Sequence, residues 1–397
     1  MVDSTRDLIQ KLNAATAIDF DNDDAARLEL AMAARKLFHK LETNTEKVLR
    51  FVNEEPVVYP AIQVFIDTGL WDAWTSSGGG EKDVGELRAM AGKDIDPELL
   101  QHLLQLLASS HIIEEVGEGL FKPTVFSLSL GDKSTLIAPA LRVRTDHIMH
   151  SSIHFPEFLA KTGYRMPSDD TNSCYIDTYP EKKDYFGRCK ENPSYQESFS
   201  SLLTLWGKHR RPWPQFYDTQ ALLEGSDLSD GSALVVDIGG HHGADLFHVL
   251  QKHPDIPAGS LVLEDLPKVI ASANITTDKI KAIGHNFFEP QPVKGSRVYY
   301  FHAVLHDWPD KTVVDILKQV AAAMKPGYSK VLINDIVLPT VGASSYQTAL
   351  DCFMLQISGK ERTEAVWNRV ISEAGMRIVN IWPDGRGYES LVEAELL

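Results

Sequence analysis

The residue types best placed to do chemistry sit in three short stretches. The run Arg297-Val-Tyr-Tyr-Phe-His-Ala-Val-Leu-His306-Asp-Trp-Pro-Asp310 ends an apolar strand pattern on His306. An imidazole titrates at about 6.5, so it can accept a proton near neutral pH. Capping the following helix is the plain alternative for a lone histidine, but its place beside a glycine turn favours chemistry. That turn, Val236-Asp-Ile-Gly-Gly-His-His-Gly-Ala-Asp245, carries Asp237, Gly239, Gly240 and Gly243 from an apolar strand into an apolar helix. Such a turn lets backbone amides approach a nucleotide-type ligand. Twenty-two residues beyond Gly243 comes Glu264-Asp265-Leu-Pro. A carboxylate at that spacing can accept both hydroxyls of a ribose.

Other candidates carry less. His147, His150 and His154 recur at three- and four-residue spacing, which puts them on one face of a helix ahead of an irregular segment, residues 162–193. They could pack, be solvated, donate to a substrate oxygen or hold a metal. No partnering carboxylate motif accompanies them, and no metal is expected. The three cysteines, Cys174, Cys189 and Cys352, form no C-x-x-C pair. No base is placed beside Cys352 to make it a nucleophile.

These groups need a scaffold, and the second half of the chain supplies its pattern. Apolar strands at 233–237, 260–264, 281–284, 297–301, 331–337, 376–381 and 389–394 alternate with amphipathic helices. The expected fold is an α/β, doubly wound, Rossmann-like sheet with its site at the carboxyl ends of the strands. Upstream, residues 61–71 are apolar on nearly all sides and suggest a buried or dimer-facing helix ending at Gly69. Asp96-Pro97 opens a helix with Leu99, Leu100, Leu103, Leu104 and Leu107 on one face. Residues 112–116 and 120–128 then pair as a hairpin, a winged-helix pattern. Between Glu81 and Asp132 four basic residues face ten acidic ones, which disfavours DNA and leaves assembly as the role. The expected divisions are a helical winged-helix domain at 1–135, connecting helices and a pocket loop at 136–225, and the Rossmann-like domain at 226–397.

Composition narrows the partners. The chain has 397 residues, 43% of them hydrophobic, and a net charge of −16. That field repels phosphate backbones and anionic membranes, so neither nucleic acid nor membrane is an expected partner. No apolar run reaches the roughly 20 residues of a membrane span. With unpaired cysteines and no signal-peptide pattern, a cytoplasmic location is expected.

Taken together, Asp237-Ile-Gly-Gly, Asp265-Leu-Pro, His306-Asp-Trp-Pro-Asp and Gly359-Lys-Glu-Arg-Thr363 resemble S-adenosylmethionine-dependent O-methyltransferases of the fungal type acting on polyketides and related metabolites. The resemblance implies a homodimer formed through the winged-helix domain and S-adenosylmethionine as cofactor. It implies His306 as general base, with Asp335 and Glu361 orienting its imidazole. Asp265 is implied on the ribose, Asn286 and Phe287 beside the adenine, and Asp237 to Gly243 along the methionine part. His302 falls among the cofactor residues where the family carries lysine or arginine. Asp351 and Met354, on a helix that lines the family's acceptor pocket, are substrate candidates, as are His150 and His154. Four positions depart from the pattern: His241 replaces a glycine, Asn286 an aspartate, His302 a longer base and Asp335 a glutamate. O-methylation of a small-molecule hydroxyl is the leading expectation. Cofactor-retaining dehydratases or pericyclases on the same fold are the alternative, and a catalytically silent winged-helix regulator is a third.

Overall fold

Local capping signals set the helices of the N-terminal part. Asp23 accepts from the Ala26 amide to start the helix Asp24–Leu41, and reciprocal capping boxes at Thr43/Glu46 and Asp83/Glu86 start two more. The computed structural model describes residues 2–15, 20, 23–228 and 231–397. It divides into two units, Met1–Ala138 and Pro139–Leu397. The segment expected as a separate connection, 136–225, thus belongs almost wholly with the second unit.

In the first unit, helices Val84–Met90 and Pro97–Ser109 lie in the chain between β1 (Lys82–Asp83) and the hairpin of β2 (Ile113–Gly117) and β3 (Leu120–Pro123), and the three strands form a small sheet ordered β1-β3-β2. Its core is Phe65, Leu70, Trp71, Trp74, Leu87, Leu100, Leu104, Leu107 and Phe121, while Leu99 faces outward. The second hairpin strand stops at Pro123 rather than continuing to 128. Thr124 and Ser127 form a capping box there, and the chain turns into the helix Val125–Gly131. The apolar helix spans Glu55–Asp67, and Gly69 at φ +70° starts the next, Leu70–Ser76.

In the second unit the apolar runs become β4 (Val235–Ile238), β5 (Leu261–Asp265), β6 (Ile280–Gly284), β7 (Val298–His302) and β8 (Lys330–Asp335). Two more runs become β11 (Met376–Pro383) and β12 (Ser390–Leu396). They form one sheet, ordered β11-β12-β8-β7-β4-β5-β6, in which β12 alone runs antiparallel to both neighbours. The expected strand 331–337 breaks at Ile336. Its tail, β9 (Val337–Leu338), pairs in parallel with β10 (Arg362–Thr363). Two apolar layers cover the sheet's faces, one around Val236, Tyr299, Phe301 and Trp367, the other around Leu234, Leu263, Tyr300 and Trp213. Such two-sided burial is why these strands read as continuous apolar runs. The order reverses between β4 and β7, so the loops after β4, β5, β7 and β8 gather at one edge.

Residues 162–193 are less irregular than expected, because Ser173 and Asp184 cap short helices at Cys174–Thr178 and Tyr185–Glu191. A second departure concerns the histidine trio. Residues Arg144–Ile148 form a π-turn before the helix Met149–Lys161, and that wider turn breaks the spacing that would align the three rings. His147 is buried while His150 is exposed.

One contact welds the two C-terminal motifs together. The Lys360 amide donates to the His306 carbonyl at 2.8 Å. Arg362, 1% exposed, donates to the carbonyls of Leu305 and Trp308 at 2.9 and 2.6 Å and pairs with Asp310 at 3.0 Å. The approach is so close that a Cβ on Gly359 would lie 2.2 Å from the His306 carbonyl oxygen. Gly359→Ala should therefore cost about 1–3 kcal/mol in urea unfolding, the penalty of forcing extra volume into a packed contact. An unchanged midpoint would show that the loop can shift at no cost.

Candidate active site

His306 lies in a short 3-10 turn, Leu305–Asp307, directly after β7. It is 5% exposed. Its Nδ1 lies 2.8 Å from Oε1 of Glu361, itself 4% exposed. With Nδ1–H donated to that carboxylate, Nε2 is the basic nitrogen. Nε2 lies 3.5 Å from the Asp307 carboxylate, and both residues line a cavity of about 330 Å³. Asp351 accepts from the Glu361 amide at 2.9 Å and so fixes the backbone that carries the acid. Burial by itself would lower the imidazole's pKa, but the charges of Glu361 and Asp307 outweigh it and hold His306 up to about 10. Asp335, the other acid expected on this ring, makes no hydrogen bond with either carboxylate oxygen among the described residues. Burial pushes it up to about 7.

The rest of the cavity wall is apolar. Phe186, Phe199, Leu203, Trp206, Phe353 and Met354 are among its larger side chains, and among the described residues no lysine or arginine contributes. A neutral, largely apolar molecule with a hydroxyl at one end fits that lining.

The glycine turn occupies the neighbouring strand end. A Cβ at Gly240 would fall 2.3 Å from Oδ2 of Asp237, so the backbone there can lie flat only without a side chain. Gly243 at φ +77° begins the helix Ala244–Lys252. Asp265, the last residue of β5, accepts from the amides of His241 and Leu266 at 2.9 and 2.7 Å. Each of its oxygens keeps a lone pair for another donor. Asp237 is 1% exposed, and among the described residues neither oxygen has a hydrogen-bond partner. Burial, with Asp245 nearby, raises its pKa well above the carboxylate range. An ammonium or hydroxyl donor would satisfy it. Asn286 accepts from the Phe288 amide at 3.3 Å, and the Phe287 and Phe288 rings pack edge-on against Trp308.

His302 is engaged on both ring nitrogens. Nδ1 meets Asp245 at 2.6 Å and Nε2 meets Glu389 at 3.1 Å, with Arg210 bonded to the other Glu389 oxygen at 2.9 Å. Burial opposes the charge, yet the two carboxylates raise His302 to about 10. The ring therefore belongs to an ionic chain and has no nitrogen to spare.

The structure brings His306 and Met354 to one cavity, sets Glu361 behind the imidazole, and gathers Asp237, the glycines and Asp265 at the ends of β4 and β5. Asp351, expected at the substrate, holds the Glu361 amide instead and is not among the residues that line the cavity. Nor does the structure bring His150 or His154 to that cavity. His154 pairs with Asp177 at 2.9 Å and Glu157 at 3.3 Å, and His150 packs its ring near Tyr179. No cluster able to hold a metal occurs among the described residues. Sequence reasoning missed Asp307, Tyr185, Tyr346, Arg210 and Glu389. Asp307 stood beside a singled-out histidine, but nothing in spacing reveals which distant side chains a cavity assembles.

Comparisons with known proteins bear on the family and the fold. Residues 215–377 match the O-methyltransferase domain family. The O-methyltransferase ATR12 of Stachybotrys chlorohalonatus is 40% identical over 397 residues, all of both chains. The O-methyltransferase mfmE of Annulohypoxylon moriforme is 36% identical, over 98% of this chain and 95% of that one. The chain belongs to the S-adenosylmethionine-dependent O-methyltransferase family. Among solved structures, LepI in complex with SAM superposes with a TM-score of 0.86 at 26% identity, covering 100% of this methyltransferase-family chain and 99% of LepI. OxaC with sinefungin and meleagrin has the same fold, at a TM-score of 0.83, 23% identity and 100% and 98% coverage. No helix among the described residues is long and apolar enough to cross a membrane.

The His306–Glu361 pair makes a signed prediction. A histidine raised in the folded state stabilises the fold below its ordinary value of about 6.5, and that contribution is lost as pH rises through about 10. Glu361→Gln removes the first raising charge, so the ring should lose its proton at lower pH in an NMR titration of its nitrogens. A titration unmoved by the substitution would mean that another group sets the charge of His306.

Proposed function

We propose that this enzyme methylates a hydroxyl of a small, largely apolar, polyketide-like metabolite, with His306 as general base. The observation that carries the reading is the Nδ1–Glu361 bond at 2.8 Å, which presents Nε2 at the wall of an apolar cavity. An imidazole fixed in this tautomer takes the hydroxyl proton at Nε2, and the developing imidazolium is held by the carboxylate behind it. Because the free enzyme holds His306 up to about 10, the basic form grows with pH, and kcat/KM for the acceptor should rise through the neutral and alkaline range.

The residues present suit S-adenosylmethionine. Asp265 can accept the ribose hydroxyls, the partnerless Asp237 can receive a donor from the amino-acid part, and the Gly239–Gly240 turn leaves its backbone bare. Asn286 and Phe287 stand for the adenine, where the amide carbonyl can accept from an exocyclic amine as the family's aspartate does. Bound, the cofactor supplies a methyl carbon on a positively charged sulfur. His302 supports this side indirectly, by fixing Asp245 on the first turn of the helix after the glycines.

A second reading rests on the likeness to LepI and to a solved structure described as a pericyclic reaction enzyme, which superposes with a TM-score of 0.85 at 26% identity. On it, the same cavity would fold a substrate for cyclisation or dehydration without methylating it. The names of the more similar relatives and the buried His306–Glu361 pair favour methylation.

The N-terminal unit is read as a winged-helix dimerisation domain. Met32, Phe38, Leu41, Val48, Phe51 and Val52, on consecutive helical segments, are 51–73% exposed. Apolar side chains in such a run mark an interface, and a second copy is the partner proposed. In sedimentation, the protein should run as a dimer and Phe38→Glu with Phe51→Glu as a monomer. A wild-type monomer at micromolar concentration would remove the dimer.

With S-adenosylmethionine and a panel of phenolic and enolic polyketides, the enzyme should release S-adenosylhomocysteine. His306→Ala should lower kcat by about 10²–10⁴-fold, while Asp265→Asn should weaken S-adenosylhomocysteine binding in calorimetry. A product of unchanged mass, or one lighter by water, with the cofactor intact would establish the second reading instead.

A further inference from the structure

One buried hydroxyl in the cavity is left unused. Tyr185, the first residue of the helix Tyr185–Glu191, lines the same cavity as His306 and Asp307. It is 5% exposed, and its ring is wedged between His147 at 4.3 Å and Phe199 at 5.0 Å, with Phe353 at 6.1 Å. The polar groups around it are already committed. His147 bonds Tyr175 at 2.5 Å and lies 3.7 Å from the Cys189 sulfur, Arg188 donates to Tyr175 at 2.8 Å, and the Tyr179 hydroxyl donates to the His147 carbonyl at 2.9 Å. The Tyr185 hydroxyl has no hydrogen bond among the described residues, and the residue forms part of the cavity lining. Burial raises its pKa well above the usual phenol value, and the negative charge of Asp307 adds to this. It is therefore a donor at any working pH, and an unmade bond in so apolar a wall is costly.

We infer that Tyr185 is a specificity-determining residue that donates a hydrogen bond to a second oxygen of the acceptor, a carbonyl or ether oxygen on the same apolar ring system as the hydroxyl that reaches His306. The substrate class narrows accordingly to uncharged, ring-based molecules with two oxygens. Among the described residues no lysine or arginine lines the cavity, which favours an uncharged oxygen at that second position. Tyr175 and Tyr179, although close in sequence and space, cannot serve, since their hydroxyls are held by the protein.

The inference rests on the proposed reading for the role of the cavity, so its test reads binding rather than turnover. Hydroxytetralones that carry the ketone at successive ring positions are compared with the matching tetrahydronaphthol, which lacks it, in calorimetry with S-adenosylhomocysteine present. The wild type should bind its best hydroxytetralone about tenfold or more tightly than the tetrahydronaphthol, the worth of satisfying one buried hydroxyl. Tyr185→Phe, which keeps the ring, should bring the two within about twofold by raising the ketone's Kd alone. Equal binding of both probes by the wild type, an undiminished preference in Tyr185→Phe, or no binding of any hydroxytetralone at millimolar concentration would overturn the inference. A ketone preference that depends on Tyr185 without any methylation would overturn the proposed function alone. Methylation without that preference would overturn the inference alone.

Discussion

The site depends on keeping charge inside a protein where water cannot reach it. His306 and Glu361 are both at least nineteen-twentieths buried, yet they meet at 2.8 Å as a proton-sharing pair. Desolvating either alone would cost several kcal/mol, so each is tolerable only while the other is in place. That requirement explains the contacts around them. Asp351 holds the Glu361 amide, Lys360 holds the His306 carbonyl, and Arg362 spans three carbonyls and Asp310. The loop that brings the acid is thereby tied to the turn that brings the base.

A second chain of buried charge runs beside the first. Asp245, His302, Glu389 and Arg210 alternate in sign from the helix after the glycine turn, past the end of β7 and the residue before β12, to the end of the helix Pro193–His209. His302 supplies the cation in the middle of this chain. With a carboxylate on each nitrogen the imidazole stays cationic up to about 10. Asp335 shows the opposite outcome. Among the described residues it makes no hydrogen bond, to the imidazole or to any other group, although it is buried. Of the two expected acids, one orients the ring by contact and the other reaches it only through its charge.

The divergence between the two ends of the site follows from what each must recognise. The cofactor edge is built from backbone and short side chains within and just after β4 and β5, so its pieces are close in sequence. The acceptor cavity takes residues from 143 to 357, on four or more helices and loops, and is polar only where His306, Asp307, Tyr185 and Tyr346 reach it. Its chemistry is that of a greasy slot with a few fixed polar points.

How much could be read without coordinates follows the same division. The strands around 235, 261, 298 and 331 were legible because two-sided burial demands continuous apolar runs, and the turn at 239–243 because a tight strand-to-helix crossing demands glycine. His306, Asp265 and Glu361 stood in local motifs and could be named from them. The π-turn at Arg144–Ile148 could not, because a one-residue change of pitch leaves no mark on an apolar pattern, and it sent His147, His150 and His154 in different directions. Nor could the helix at 125–131, where a Thr–Ser capping box overrode an alternating pattern. Sequence alone determined the layered sheet, the glycine crossing and the histidine at 306, all of which depend on neighbours a few residues apart. Tertiary structure alone decided which acid grips that base, that His302 is spent on Asp245 and Glu389, and that Tyr185 opens into the cavity, because each depends on partners tens to more than a hundred residues away whose meeting only packing can arrange.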